Sequence, residues 1–130
     1  MIKEGILNPH ILDLLARVRH TNTIVIADRG FPYWPTIETI DISLCDDIPR
    51  VSDVLKLILP RYQFGKAFMA QEFKSNNSSE KIKAAQDLLG DVTLVFEPHE
   101  EKFKKRVPNA IGLIRTGDTT PYANIILESA

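Results

Sequence analysis

Five residues, "TIVIA" from Thr23 to Ala27, limit the architecture more than any other stretch of this chain. The run is too short and too uniformly apolar for an amphipathic helix, and it reads as a strand covered on both faces. Such a strand needs a packed layer above it and another below. An ionisable group stands beyond each end of the run, His20 before it and Asp28 directly after it. A buried strand has no structural need of either.

The flanking segments supply the layers. In "LNPHILDLLARVRH" Asn8 is a good N-cap and Pro9 fits the first helical position, with Ile11, Leu12, Leu15 and Val18 as an apolar stripe. The segment "DRGFPYWP" is a turn, and "ETIDISL" alternates like a half-exposed strand. "VSDVLKLILP" has helical spacing up to Pro60, and "KAFMAQEF" reads as a strand. "SNNSSEKIKAAQDLLG" reads as a helix with Asn77 and Glu80 in capping-box positions and Gly90 as its stop. "DVTLVFE" predicts a strand, "EEKFKKRV" a short helix, "AIGLIRT" a strand, and "ANIIL" closes the chain. Alternating strands and helices predict an α/β fold of three layers, a mainly parallel sheet with helices on both faces. With 130 residues and no linker or repeat, this is a single domain over residues 1–130.

Charge and motifs exclude several functions. Sixteen basic residues against seventeen acidic ones give a formal charge of −1, which argues against a nucleic-acid or anionic-membrane partner. The lone Cys45 suits a small, half-buried apolar role in a reducing compartment. With no signal-peptide-like run in "MIKEGILNPHI", the expectation is a cytoplasmic protein. No G-x-G-x-x-G follows a strand and no phosphate loop occurs, while "HEEKF" at 99–103 has Phe where H-E-x-x-H needs its second histidine. Neither a metal nor a cofactor is expected.

Open α/β sheets bind ligands at the carboxyl ends of their strands, so ionisable groups there are the candidates. Asp28 and His99 each follow a strand; their ordinary roles would be turn former and first-turn helix residue. His20 follows a helix, and taken alone it is best read as a cap attracted to the helix dipole. The turn "RTGDTTPYAN" carries Thr119, Thr120, Tyr122 and Asn124, neutral groups and one aromatic face suited to gripping hydroxyls. Tyr33 and Trp34 add aromatic surface after Asp28, and "KFKKR" at 102–106 reads as a solvated helix face. Extended chain spans ~3.3 Å per residue, so His20 and Asp28 could lie ~26 Å apart. They share a pocket only if "HTNT" doubles back or if two subunits contribute.

The segments "GILNPHILDLLARVRHTNTIVIADRGFP", "IDISL", "PHEEKFK" and "IRTGDTTPYANIIL", in this order, resemble the D-ribose pyranases and L-fucose mutarotases, a family of cofactor-free sugar isomerases. The resemblance implies His20 as proton donor, with Asp28, His99, Tyr122, Ala123 and Asn124 binding a monosaccharide. It further implies a homo-oligomer, a pentameric ring or a decamer, with sites at subunit boundaries. "PYAN" is similar to the ribose branch and "VSDVLKLILP" to the fucose branch, whereas "DRGFPYWP" replaces the usual "DAGLP", so that Arg29, Phe31, Tyr33 and Trp34 are expected to reshape the pocket. Opening and reclosing a hemiacetal needs two proton-transfer groups, one taking the anomeric hydroxyl proton and one protonating the ring oxygen. Histidine, with an unperturbed pKa of about 6.5, suits one of them. The alternative is a monosaccharide-binding accessory protein of a transport system that catalyses nothing.

Overall fold

The computed structural model describes all residues, 1–130. Asn8 caps α1 (Pro9–Arg17), its side chain accepting from the N–H groups of His10 and Ile11 at 2.9 and 3.1 Å. The buried stripe is Ile11, Leu14 and Leu15; Leu12 and Val18 are only partly covered. After β1 (Thr23–Ala27) and β2 (Glu38–Asp41) come α2 (Val51–Ile58), β3 (Phe64–Ala70), α3 (Gln71–Asn76), α4 (Ser79–Leu89) and β4 (Thr93–Glu97). A π-helical turn (His99–Phe103), α5 (Lys104–Arg106) and a 3-10 turn (Val107–Asn109) lead to β5 (Gly112–Arg115) and β6 (Ile125–Ser129). No helix is long and apolar enough to cross a membrane.

The six strands are ordered β2-β5-β1-β6-β3-β4. β1, β5 and β2 run parallel, as do β3 and β4, and β6 runs antiparallel between β1 and β3. The sheet is therefore mainly parallel, with its last strand reversed at the centre. β1 is apolar throughout because both its faces are covered. Ile24 and Ile26 join the larger core beneath the helices α1, α2 and α4, and Val25 and Ala27 join a smaller one. Phe103, Val107 and Ala110 cover that smaller core together with Phe31 and Ile37.

Local departures from the sequence reading have simple causes. β2 ends at Asp41, and Leu44 points into solvent, 79 % exposed. The expected strand "KAFMAQEF" stops at Ala70, and Gln71–Asn76 is helical so that Phe73 can be buried. Ser78, not Asn77, caps α4, accepting the Lys81 N–H at 3.2 Å. Asn77 instead donates to the carbonyls of Phe73 and Pro121, each at 2.9 Å. Gly90 stops α4 at φ +56°, as its position predicted. Cys45 is exposed. Within the basic run, Arg106 is no solvated charge: it lies 3.8 Å over the Phe68 ring and donates to both Glu97 oxygens at 2.7 and 2.6 Å. That bidentate pair holds the Glu97 carboxyl below the usual range.

Candidate functional site

The chain reversal between β5 and β6 builds the site. β5 and β6 flank β1 on either side, so the connecting loop, residues 116–124, must cross the carboxyl end of β1. It crosses directly over Asp28. Thr116 ties the start of the loop to β1, its hydroxyl and its N–H both donating to the Ala27 carbonyl, at 2.8 and 2.9 Å. At the far end, the Asn124 Oδ1 accepts the Asp28 N–H at 2.7 Å. Gly117 lies so close to the carbonyls of Cys45 and Ile48 that a Cβ there would collide with them. The loop is thus pressed against the segment before α2.

Asp28 is half-buried, and its Oδ1 accepts the Gly30 N–H at 3.0 Å. Burial raises its carboxyl pKa above the ordinary range, and the negative charge of Asp118 adds to the rise. The Gly30 N–H and the Asn124 amide work in the opposite direction. A raised native pKa means that ionising Asp28 disfavours the folded state. The penalty is absent below the ordinary value of 3.8 and grows as pH rises through the native value. Asp28→Asn removes this titration. Its stability relative to wild type should therefore improve as pH rises from below 3.8 to above the native value, then level off. Urea unfolding of both proteins across that range measures it; a difference independent of pH would contradict the assignment.

His99 opens the π-helical turn just beyond β4. Its backbone N–H is held by both oxygens of Glu72, each at 3.2 Å, and its ring stacks 5.7 Å from Phe103. Tyr122 meets the same ring edge-on, with centroids 5.3 Å apart. Tyr122 itself sits at φ +56°, a conformation disfavoured for a bulky residue. Ala123 packs its methyl into the larger core and donates its N–H to the Thr120 carbonyl at 3.3 Å, and Asn124 is buried. Asp28, His99, Tyr122, Ala123 and Asn124 therefore gather along the carboxyl edge of the sheet.

His20 does not join them. Beside it, Thr21 donates to the Ser129 carbonyl at 3.1 Å and Ser129 donates to the Asn22 carbonyl at 2.9 Å, which fixes this turn at the amino end of β1. The six strand steps from Asn22 to Asp28 span ~20 Å. "HTNT" is a local turn, closed by Asn22 N–H to Arg19 O at 2.9 Å, and does not double back. The helix-capping role considered for His20 is taken by Arg19, whose guanidinium donates to the carbonyls of Ala16 and Val18 at 2.7 and 2.9 Å. The exposed imidazole is left free of that duty.

Other expectations change in detail. Thr119 does not face a ligand: its N–H and hydroxyl both bond Asp47 Oδ1 at 2.9 Å. Arg29 pairs with Asp46 at 2.6 Å, Phe31 is core, Trp34 packs near it and Tyr33 is 67 % exposed. Glu72 and Asp118 were missed. Glu72 lay in an apparent strand, whereas Asp118, two residues before Thr120 in a turn, carried an Asx-turn signal. A cavity of about 550 Å³ lies elsewhere, between α2 and α4, with Asp118, Thr120 and Ala123 also lining it. Asp28, His99, Tyr122 and Asn124 do not line it.

Fold and edge together define a small α/β domain whose hydrogen-bonding groups converge at the carboxyl end of the sheet beneath a crossing loop. The chain belongs to the RbsD / FucU transport protein family, whose pattern matches residues 1–130. It is 37 % identical over 130 residues to a D-ribose pyranase of Staphylococcus aureus strain USA300 / TCH1516, spanning 99 % of this chain and 97 % of that protein. The structure of Bacillus subtilis RbsD complexed with D-ribose matches with a TM-score of 0.92 and 38 % identity, over 100 % of this chain and 98 % of that one. The Streptococcus pneumoniae fucose mutarotase in complex with L-fucose shares the fold at a TM-score of 0.79 and 22 % identity, over 95 % and 92 % of the two chains.

Proposed function

We propose that this protein is an isomerase that interconverts the ring forms of an aldose, with a D-ribose-like sugar as substrate. The observation that carries the reading is the gathering of Asp28, His99, Tyr122 and Asn124 at one sheet edge, in a chain 38 % identical to a D-ribose-bound relative. Hydroxyl-binding groups set side by side suit a polyol held against a protein edge. Asp28, the His99 ring, Tyr122, the Ala123 backbone and Asn124 bind the sugar hydroxyls and keep the ring oxygen in a fixed place.

His20 is the proton donor. It protonates the ring oxygen while a water molecule takes the anomeric hydroxyl proton and the bond between C1 and the ring oxygen breaks. The open-chain aldehyde then recloses through another hydroxyl or on its other face, which returns both protons. No redox step is involved, and neither cofactor nor metal is called for. Because His20 lies at the opposite end of β1 from Asp28, it reaches the sugar from a neighbouring copy. The protein acts as a homo-oligomer, a pentameric ring or a decamer of two rings, in the cytoplasm.

The RbsD / FucU family is one of transport proteins by name, which favours one rival, a monosaccharide-binding accessory protein. Magnetisation-exchange NMR of D-ribose and L-fucose with catalytic amounts of the protein separates the two. The isomerase reading expects faster exchange between ring forms of ribose. Saturable binding with the uncatalysed exchange rate would establish the rival.

A further inference from the structure

The geometry points to Asp118 as a positioning residue that joins the two halves of the sugar site. It is 5 % exposed, in a loop that otherwise supplies neutral groups. Each polar atom of Asp118 holds a different segment. Its Oδ1 accepts the Thr120 N–H at 2.8 Å and shapes the turn leading to Tyr122 and Asn124. The Oδ2 accepts the Val51 N–H at 3.0 Å, fixing the loop to the first turn of α2. Its backbone carbonyl accepts the Arg29 N–H at 3.1 Å, next to Asp28, and its N–H reaches the Thr116 hydroxyl at 3.2 Å. One buried residue thus sets the Asp28 turn, the Tyr122–Asn124 loop and α2 relative to one another.

A neutral hydrogen-bonding side chain could not serve equally well. Two backbone N–H groups converge on one side chain, and only a carboxylate offers two acceptor oxygens to them; an amide would turn its NH₂ toward one N–H. The buried charge also acts on Asp28, making its ionisation harder. Among the charged groups around Asp28, Arg29 is committed to Asp46, and Arg115 to Asp41 and the Phe31 carbonyl. The Gly30 and Phe31 N–H groups and Asn124 face Asp28 as neutral dipoles.

The inference rests on the reading of Asp28, Tyr122 and Asn124 as sugar contacts, and the test separates the two. Asp118→Asn should raise the KM for D-ribose about tenfold, in keeping with the loss of one charge-assisted hydrogen bond that orders the loop. It should also lower the Asp28 midpoint, followed by carboxyl NMR titration of the sugar-free protein. Asp53→Ala is the control: it removes the acceptor for the Arg50 N–H at the same helix start, 2.8 Å away, without touching the loop. It should weaken stability yet leave KM and the Asp28 midpoint at wild-type values.

Should Asp118→Asn fail to fold, Asp118→Glu keeps the charge but sets the oxygens one methylene too far. It should raise KM to a similar extent, and a wild-type KM there would overturn the proposal. For Asp118→Asn, an unchanged KM together with an unchanged Asp28 midpoint would overturn it. If the wild-type protein accelerates no ring exchange, the catalytic reading falls; the Asp28 midpoint in the sugar-free protein still decides the role of Asp118.

Discussion

His20→Ala is expected to slow ring-form exchange of D-ribose by ~10²–10⁴-fold, the usual contribution of a well-placed general acid. Stability should stay within about 0.5 kcal/mol of wild type, because His20 is exposed in a turn whose backbone contacts survive the change. Sugar affinity should fall less than turnover, since Asp28, His99, Tyr122 and Asn124 remain in place at the other end of β1. Magnetisation-exchange NMR and a sugar titration give the two quantities. Equal exchange rates for variant and wild type would remove His20 from the reaction.

Phe103→Ala carries the largest expected effect on the fold. Phe103 is fully buried in the smaller core, where it packs with Val107, Ala110 and Phe68. It also forms one wall of the His99 ring, stacked at 5.7 Å. Truncating a buried Phe costs about 3–5 kcal/mol, a large share of the ~5–15 kcal/mol that stabilises a domain of this size. Because the cavity opens beside His99, the imidazole should lose its fixed orientation as well. Chemical denaturation should show the stability loss, and sugar affinity measured under folding conditions should fall with it. A loss under about 1 kcal/mol would mean that the smaller core collapses around the gap.

The layered fold was readable because β1 advertises its two covered faces in four consecutive apolar residues. The central reversal was not readable from "ANIIL" alone. An apolar strand covered on both sides has no side-chain signature of direction, and only the short "RTGDTTPYAN" connection hinted that β6 returns beside its neighbours. The boundary at Ala70 was missed because Phe73 fits an alternating pattern as well as a helical one. In "KFKKR", the composition of the run hid one arginine that pairs with buried Glu97.

Asp28, His99, Tyr122 and Asn124 were legible as polar groups at strand ends. What sequence could not show is which turn duties are already filled. Arg19 caps α1, and Thr119 is spent on Asp47. Glu72 and the Oδ2 of Asp118 act on backbone N–H groups far away in sequence, and local spacing carries no trace of such partners; only the Asp118 turn to Thr120 is local.

The central claim is that one copy supplies His20 and its neighbour supplies the Asp28 cluster. Mixing His20→Ala protein with Asp28→Asn protein under conditions that exchange subunits tests it directly. Each variant alone should be inactive, and an equal mixture should regain about a quarter of wild-type exchange activity, because random neighbours restore that share of intact sites in a closed ring. A mixture that reassembles yet stays as inactive as its parts would contradict the account.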